Sequence, residues 1–299
     1  MTATILSVDD LENITTARLI GVAESGTAEW LALRESGIGG SEVGTICGLN
    51  KWESPFTLWA KKTGQIPREI PDNEAMEWGR RLESVILDKF SDEHPELTLI
   101  RDVGTWHHKD RPWQIANPDA LFMDQDGNLG IVEVKTAQYE DDWSDGPPLS
   151  YQAQVQWYMH TFGLDLAHVI VLFHGNRYRE FQLPANPFEQ EVNLEIVETF
   201  RDLVLHEVAP DFDGALSTYQ TVRSLHPEIT DDEVELGQLG VYYALAEAEL
   251  KAAEAKMNEM KSRVLSDMGT AKRGLIEGRW VLSRQARGTG TPYLVMKRG

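Results

Sequence analysis

The stretch Asn117-Pro118-Asp119, followed after a polar turn at Asp124-Gln125-Asp126-Gly127-Asn128 by Ile131-Val132-Glu133-Val134-Lys135, reads as a strand, a turn and a second strand. Side chains alternate along a strand, so Glu133 and Lys135 share one face with Ile131, and the valines take the other. Asp119 closes the approach of the preceding strand to the Glu133 face. Two carboxylates and a lysine in the middle of a sheet are costly to bury without a purpose. A divalent metal is the simplest purpose. Carboxylate oxygens suit Mg²⁺, which keeps several waters and takes few protein ligands besides substrate phosphate.

The flanking segments add groups of matching chemistry. Met76, Leu82, Ile86 and Phe90 share a helix face, and Glu83 falls near that buried stripe rather than on the solvent side, although a surface glutamate beside Arg80 and Arg81 is the plainer reading. Downstream, Tyr151-Gln152-Ala153-Gln154-Val155-Gln156-Trp157-Tyr158 begins an amphipathic helix. Gln154 and Tyr158 lie four apart, point the same way and can face one phosphate. Near the N-terminus, Trp30-Leu31-Ala32-Leu33-Arg34 precedes Gly37-Ile38-Gly39-Gly40-Ser41-Glu42-Val43-Gly44. The glycines let backbone approach a phosphate, Ser41 suits a helix N-cap, and Arg34 can make a bidentate contact. Taken alone, this segment is an ordinary helix–turn–helix connection.

In this order, the motifs resemble the PD-(D/E)xK nuclease superfamily, and within it the YqaJ-like viral recombinases and λ-exonuclease. Pro118-Asp119 with Glu133-Val134-Lys135 is similar to the superfamily signature, and Trp78-Gly79-Arg80-Arg81-Leu82-Glu83 to the helix bearing an additional metal-binding glutamate. Gln154 to Tyr158 resembles the Q-x-x-x-Y motif of RecB-like nucleases, and Pro55 to Gly64 the family's next helix. The likeness runs from about Trp30 to Tyr158, with Asn117 where relatives often have Ser and Ala120 where many have Gly. It implies an α/β (α+β type) restriction-endonuclease-like core, with a central mixed sheet flanked by helices. It also implies metal ligation by Glu83, Asp119, Glu133 and the Val134 carbonyl, with Mg²⁺ or Mn²⁺ as the ion and Lys135 beside the attacking water. Arg34, Ser41, Gln154 and Tyr158 would bind a terminal 5′-phosphate. The implied activity is a 5′→3′ exonuclease on linear double-stranded DNA, working as a homo-oligomeric ring and leaving 3′ single strands for an annealing protein in phage-type recombination.

Composition bounds these expectations. A chain of 299 residues with 41% hydrophobic content can bury a full core. There is no apolar run of membrane-spanning length, and Met1 to Asp10 lack a signal-peptide pattern, so a cytoplasmic location is expected. Cys47 is the sole cysteine, which excludes an internal disulfide framework and a four-cysteine iron–sulfur cluster within this chain. The formal net charge of −20 opposes DNA binding at long range. Bound metal offsets part of this. The cations Arg34, Lys51, Lys61, Lys62, Arg80, Arg81 and the tail from Lys272 to Arg298 predict a basic groove inside an acidic exterior.

Along the chain, periodicity predicts a short element around Ala17 to Val22 and helices near 27–36, 41–47, 54–63 and 73–92. Strands follow near 98–107, 113–123 and 129–136, then an acidic loop from Tyr139 to Leu149 and a helix near 150–163. A hairpin of Ala167 to Phe173 with Tyr178 to Leu183 leads to a helix near 188–208. A boundary at Pro227 to Asp232 divides a nuclease domain, 1–226, from an appendage, 227–299. The appendage holds a long helix over Val234 to Met268 with a heptad-like seam from Tyr243 to Val264, and a basic hairpin about Gly288-Thr289-Gly290.

Three rival readings remain at this level. One is a histidine-metal nuclease built on His94, His107 and His108, although none has ligand spacing and paired surface histidines are commoner. A second is an endonuclease or junction resolvase using the same acidic site. The third is a non-catalytic nuclease scaffold, binding a protein or mimicking DNA, which the acidic surface suits.

Overall fold

Apolar alternation in the hairpin builds the centre of the molecule, as a computed structural model describing residues 6–23, 26–68 and 73–297 shows. Arg298, at the end of the basic tail, lies outside the described residues. The chain divides into two units, Met1–Glu228 and Ile229–Gly299.

The first unit runs α1 (Val8–Ile14), β1 (Ala17–Gly21), α2 (Ala28–Glu35), β2 (Ile38–Gly39), α3 (Gly40–Ile46), α4 (Pro55–Lys62) and α5 (Glu74–Glu93). Then come β3 (Thr98–Arg101), β4 (Thr105–His108), β5 (Gln114–Ala116), β6 (Ala120–Met123) and β7 (Leu129–Ala137). A 3₁₀ turn at Asp141–Trp143 leads to α6 (Leu149–Phe162), β8 (Leu166–Phe173), β9 (Arg177–Pro184), α7 (Pro187–Leu205) and α8 (Leu216–Leu225). A five-stranded mixed sheet has the order β3-β6-β7-β8-β9, parallel only at β7–β8, which α6 connects. A four-stranded sheet has the order β1-β4-β5-β2.

Two predicted strands are each divided between these sheets. Residues 98–107 break at Asp102 and Gly104, both with positive φ, so β3 joins the larger sheet and β4 the smaller. A Cβ at Gly104 would lie 2.7 Å from the Gly21 carbonyl oxygen, so only glycine fits this bend. Residues 113–123 break at Asn117-Pro118, where proline offers no ladder donor. Asn117 Nδ2 donates to Thr105 Oγ1 at 2.6 Å and ties the two bends together. The residue that differs from the common serine is thus committed to holding the sheet switch.

β7 separates two cores by its period of two. Ile131 joins the larger cluster with Trp157, Met159 and Phe162 of α6. Val132 and Val134 join the other, with Ile86, Leu87 and Phe90 of α5 and Ile170 of β8. Each such side chain contributes about 1.5–3 kcal/mol by leaving water. α8, unmarked in the sequence reading, packs on α4 through hydroxyls: Thr218 donates to Ser54 Oγ at 2.6 Å, and Thr57 and Thr221 are 2.9 Å apart.

The second unit comprises α9 (Gln238–Met268), β10 (Arg273–Ile276), β11 (Arg279–Gln285) and β12 (Tyr293–Met296). The expected hairpin is β11–β12, and β10 extends it to three strands. Its cations stack inside the sheet: Arg273 and Lys297 lie 4.6 and 5.2 Å from the Trp280 ring centroid. α9 has no buried residue. Among the described residues no helix is long and apolar enough to cross a membrane.

Candidate active site

The β6–β7 register ends at Ala120 opposite Val132, and there Asp119 takes over the ladder. Its Oδ2 accepts the Val134 backbone N–H at 2.7 Å. The N–H and carbonyl of one strand residue point to the same side. The Val134 carbonyl therefore opens toward the edge occupied by Asp119, beyond the last β6 pairing.

On the opposite side of the pleat, Glu133 is only 2% exposed. Lys135 Nζ donates to Glu133 Oε1 at 2.6 Å and to Gln154 Oε1 at 3.3 Å. Gln154 Nε2 donates to the same Glu133 oxygen at 2.6 Å and to the Tyr158 hydroxyl at 3.0 Å. Glu133 Oε1 is thus saturated, while Oε2 is buried and has no protein partner. Lys135 Nζ also lies 4.8 Å from the Tyr151 ring centroid. Tyr151 went unassigned in the sequence reading, although its three-residue spacing from Gln154 places both on one helix face.

α5 brings Glu83 to this cluster. Burial first, then the Glu133 charge, raises the Glu83 carboxyl above its ordinary range, with Lys135 opposing and Asp102 adding to the rise. Asp119 is raised well above its ordinary range by burial, by Glu133 and by Glu83; Lys135 and the Val134 N–H oppose this. Three carboxyl groups thus face one ammonium. Lys135 is not depressed in the way burial alone would make it. Burial does push it down, but Glu133 and Asp119 outweigh that and hold it above its ordinary value. The ammonium is fixed as a cation.

The N-terminal motif reaches the same place. Arg34, in the last turn of α2, stacks 4.3 Å from the Trp30 ring centroid and donates through Nη2 to Ser41 Oγ. Ser41 is not the N-cap of α3; Gly39 is, and the Glu42 carboxylate accepts its N–H at 2.9 Å. α3 begins at Gly40, so Ser41 falls inside its first turn, with its hydroxyl bonded to Arg34. Gly40 lies flat on α6, where a Cβ would come within 2.4 Å of Tyr158 Cε1. Tyr158 is pushed up, and so kept neutral, by burial and Glu133, with Arg34 opposing. Gln154 and Tyr158 are 6% and 3% exposed, with the polar atoms of Gln154 engaged by protein. They support Lys135 and Glu133 from beneath, while Arg34 and Ser41 stand at the surface.

Other expectations meet a different arrangement. Among the groove cations, Lys51, Lys61, Lys62 and Arg81 are paired with Asp142, Glu53, Glu42 and Glu77 at 2.5–2.8 Å. Local acids neutralise them, so they do not present free charge. His108 is no surface residue: it is 7% exposed and packs on His160 with ring centroids 6.2 Å apart.

The donor set fits a hard divalent cation. It offers carboxylate oxygens, one buried oxygen without a partner, and carboxyl groups whose mutual repulsion a cation relieves. Glu133, Asp119, Glu83 and the Val134 carbonyl are the groups that can hold it.

Residues 29–165 match the family of the YqaJ-like viral recombinase domain. The chain is 29% identical over 266 residues to the uncharacterized protein YqaJ of Bacillus subtilis (strain 168), covering 85% of this chain and 82% of the relative. Among solved structures, the alkaline exonuclease LHK-Exo of Laribacter hongkongensis aligns with a TM-score of 0.51 at 20% identity, over 61% of this chain and 94% of that one. LHK-Exo in complex with dAMP gives the same TM-score of 0.51. At that identity the likeness establishes the fold, a mixed sheet flanked by helices.

Proposed function

We propose, from the match of residues 29–165 to the YqaJ-like viral recombinase domain, that this protein is a metal-dependent 5′→3′ exodeoxyribonuclease acting on linear double-stranded DNA. The observation that carries the reading is the bare, buried Oε2 of Glu133 beside Asp119 and a lysine held as an ammonium. The relatives that are exonucleases support it.

Glu83, Asp119, Glu133 and the Val134 carbonyl would hold one or two Mg²⁺ or Mn²⁺ ions, which would supply a water of lowered pKa and offset charge developing on the phosphate. The chain's own groups do the rest. Lys135, fixed between Glu133 and Gln154, points an N–H donor at the attacking water and stabilises negative charge as it forms. Gln154 fixes the lysine and glutamate relative to each other, and Tyr158 fixes Gln154. Arg34 and Ser41 receive the terminal 5′-phosphate, which sets polarity and the register of the cut. Following the family resemblance, the proposal includes a homo-oligomeric ring and a single-strand annealing protein that takes the 3′ strands.

The test is digestion of linear duplex DNA with Mg²⁺, comparing 5′-phosphate ends, 5′-hydroxyl ends and closed circles. Steady loss of the 5′-phosphorylated strand with circles intact is the expected result. Nicked circles point instead to an endonuclease, and no cleavage with Mg²⁺ or Mn²⁺ points to a binding scaffold.

A further inference from the structure

A second cluster with metal-ligating chemistry lies on the α5 face of the sheet. His94 caps the C-terminal end of α5, His168 stands on β8 opposite Val132, and Glu180 stands on β9 opposite Ile170. Eleven residues separate Glu83 from His94 in sequence. At 1.5 Å per helical residue that is about 16 Å, so the cluster is separate from the acidic site. The ligand atoms of His94, His168 and Glu180 all lie within 4.8 Å of one another, a convergence found for no other His, Cys, Asp and Glu group among the described residues.

The local geometry is that of a built site. His94 Nε2 is 2.8 Å from Glu180 Oε2, and His168 Nδ1 is 2.6 Å from Glu180 Oε1. The far nitrogen of His94, Nδ1, faces Glu96 Oε1 at 3.1 Å. A carboxylate on the distal nitrogen fixes the ring and leaves the other nitrogen to a metal, the usual outer arrangement of a ligating histidine. Phe90 and Phe122 wall His168 edge-on, with ring centroids 5.2 and 5.0 Å away. His168 is deeply placed at 3% side-chain exposure, while His94 and Glu180 at 21% and 19% leave an ion a route from solvent.

Both nitrogens of His94 face carboxylates, which only accept, so the ring carries two protons here. An ion entering the cluster takes the place of two protons, on His94 Nε2 and on His168 Nδ1. The first leaves to solvent and the second leaves to solvent or moves to His168 Nε2, while His94 keeps its Nδ1–H donating to Glu96. Two imidazoles and one carboxylate suit a borderline cation of the Zn²⁺ class. The acidic site, with oxygen donors only, suits a hard one.

We propose that His94, His168 and Glu180 form a second, transition-metal site of the Zn²⁺ class that clamps the end of α5 to β8 and β9. The clamp holds the helix that carries Glu83. It does not depend on the nuclease reading, because neither its ligands nor its test involves cleavage.

The test is Zn²⁺ uptake by the full chain, measured by competition with a chromogenic chelator, together with the visible spectrum of the Co²⁺ form. It is run on wild type, Glu133→Gln, Glu180→Gln and His94→Gln. One ion retained in Glu133→Gln, a nitrogen-ligated Co²⁺ spectrum, and affinity reduced roughly 100-fold in Glu180→Gln and His94→Gln support the site. His94→Gln alters a partly exposed helix cap and serves alone if Glu180→Gln does not fold. Uptake unchanged by His94→Gln, uptake lost with Glu133→Gln, or no Zn²⁺ or Co²⁺ bound at all overturns it. The trio is then only a hydrogen-bonded strut.

Discussion

The two faces of β7 carry opposite solutions to burial. On the α6 face, Glu133 and Lys135 are packed among Gln154, Tyr158 and Tyr151, with one carboxylate oxygen bare, and the neighbouring carboxyl groups are raised by burial and then by mutual repulsion. On the α5 face, Val132 and Val134 lie in an apolar patch with Ile86, Leu87, Phe90 and Ile170. The strand is the same and only the parity of the residue number differs. The valine face supplies the stability that lets the other face remain electrostatically strained, and strain kept in a well-packed sheet is what a functional site requires.

The sharpest way to break this comparison is to exchange the faces' roles by mutation. Lys135→Ala and Glu133→Gln are each expected to lower strand digestion by a factor on the order of 10³ or more; Glu133→Gln leaves the thermal midpoint unchanged or raised, whereas Lys135→Ala lowers it, because the buried carboxyl groups lose their one ammonium. Lys135→Ala at the wild-type rate would remove the lysine from the mechanism. Ile170→Ala, on the apolar face, should do the converse. About 2–4 kcal/mol of stability is lost in denaturant unfolding, while activity of the folded fraction stays near wild type. An equal loss of activity per folded molecule would show that the faces are not separable.

A smaller effect is expected from Arg34→Ala. Its removal should cut the preference for 5′-phosphate over 5′-hydroxyl ends by about tenfold, with stability changed by less than about 0.5 kcal/mol. Unchanged end preference would detach the N-terminal motif from the site.

The mildest prediction concerns the far end of α6. Burial, with Arg111 and His108 nearby, lowers His160 from its ordinary 6.5 to about 4. The unfolded chain therefore takes up this proton first as the solution is acidified. The stabilising effect of a neutral His160 is complete above pH 6.5 and is lost as pH falls from there through about 4. His160→Gln should flatten the fall of the thermal midpoint across that window. An unaltered slope would place the acid sensitivity elsewhere.

Much of this was legible in the residues because it depends on local periodicity. Alternation set Glu133 with Lys135 against the valines, and the structure has that pattern. The apolar stripe of α5 put Glu83 near the buried side, and the 73–92 expectation differs by one residue at each end from Glu74–Glu93. The breaks at Asp102 to Gly104 and at Asn117-Pro118 were not legible as sheet switches, since the pattern of a half-strand does not say which strand it pairs with. Only the partner strand differs. Nor did spacing reveal the His94, His168 and Glu180 group, whose members come from three elements.

The sequence by itself determined which groups share a face, because the period of a strand or helix is a property of the backbone. Only the tertiary structure decided what those groups do to one another. Ser41, in the first turn of α3 rather than at its cap, receives Arg34 on its hydroxyl, and Gln154 turns inward because Glu133 and Lys135 claim its amide. Lys135 is held charged, against the effect of burial, because Glu133 and Asp119 sit beside it. Protonation follows the sum of charges through space, and that sum exists only once segments distant in the chain have met.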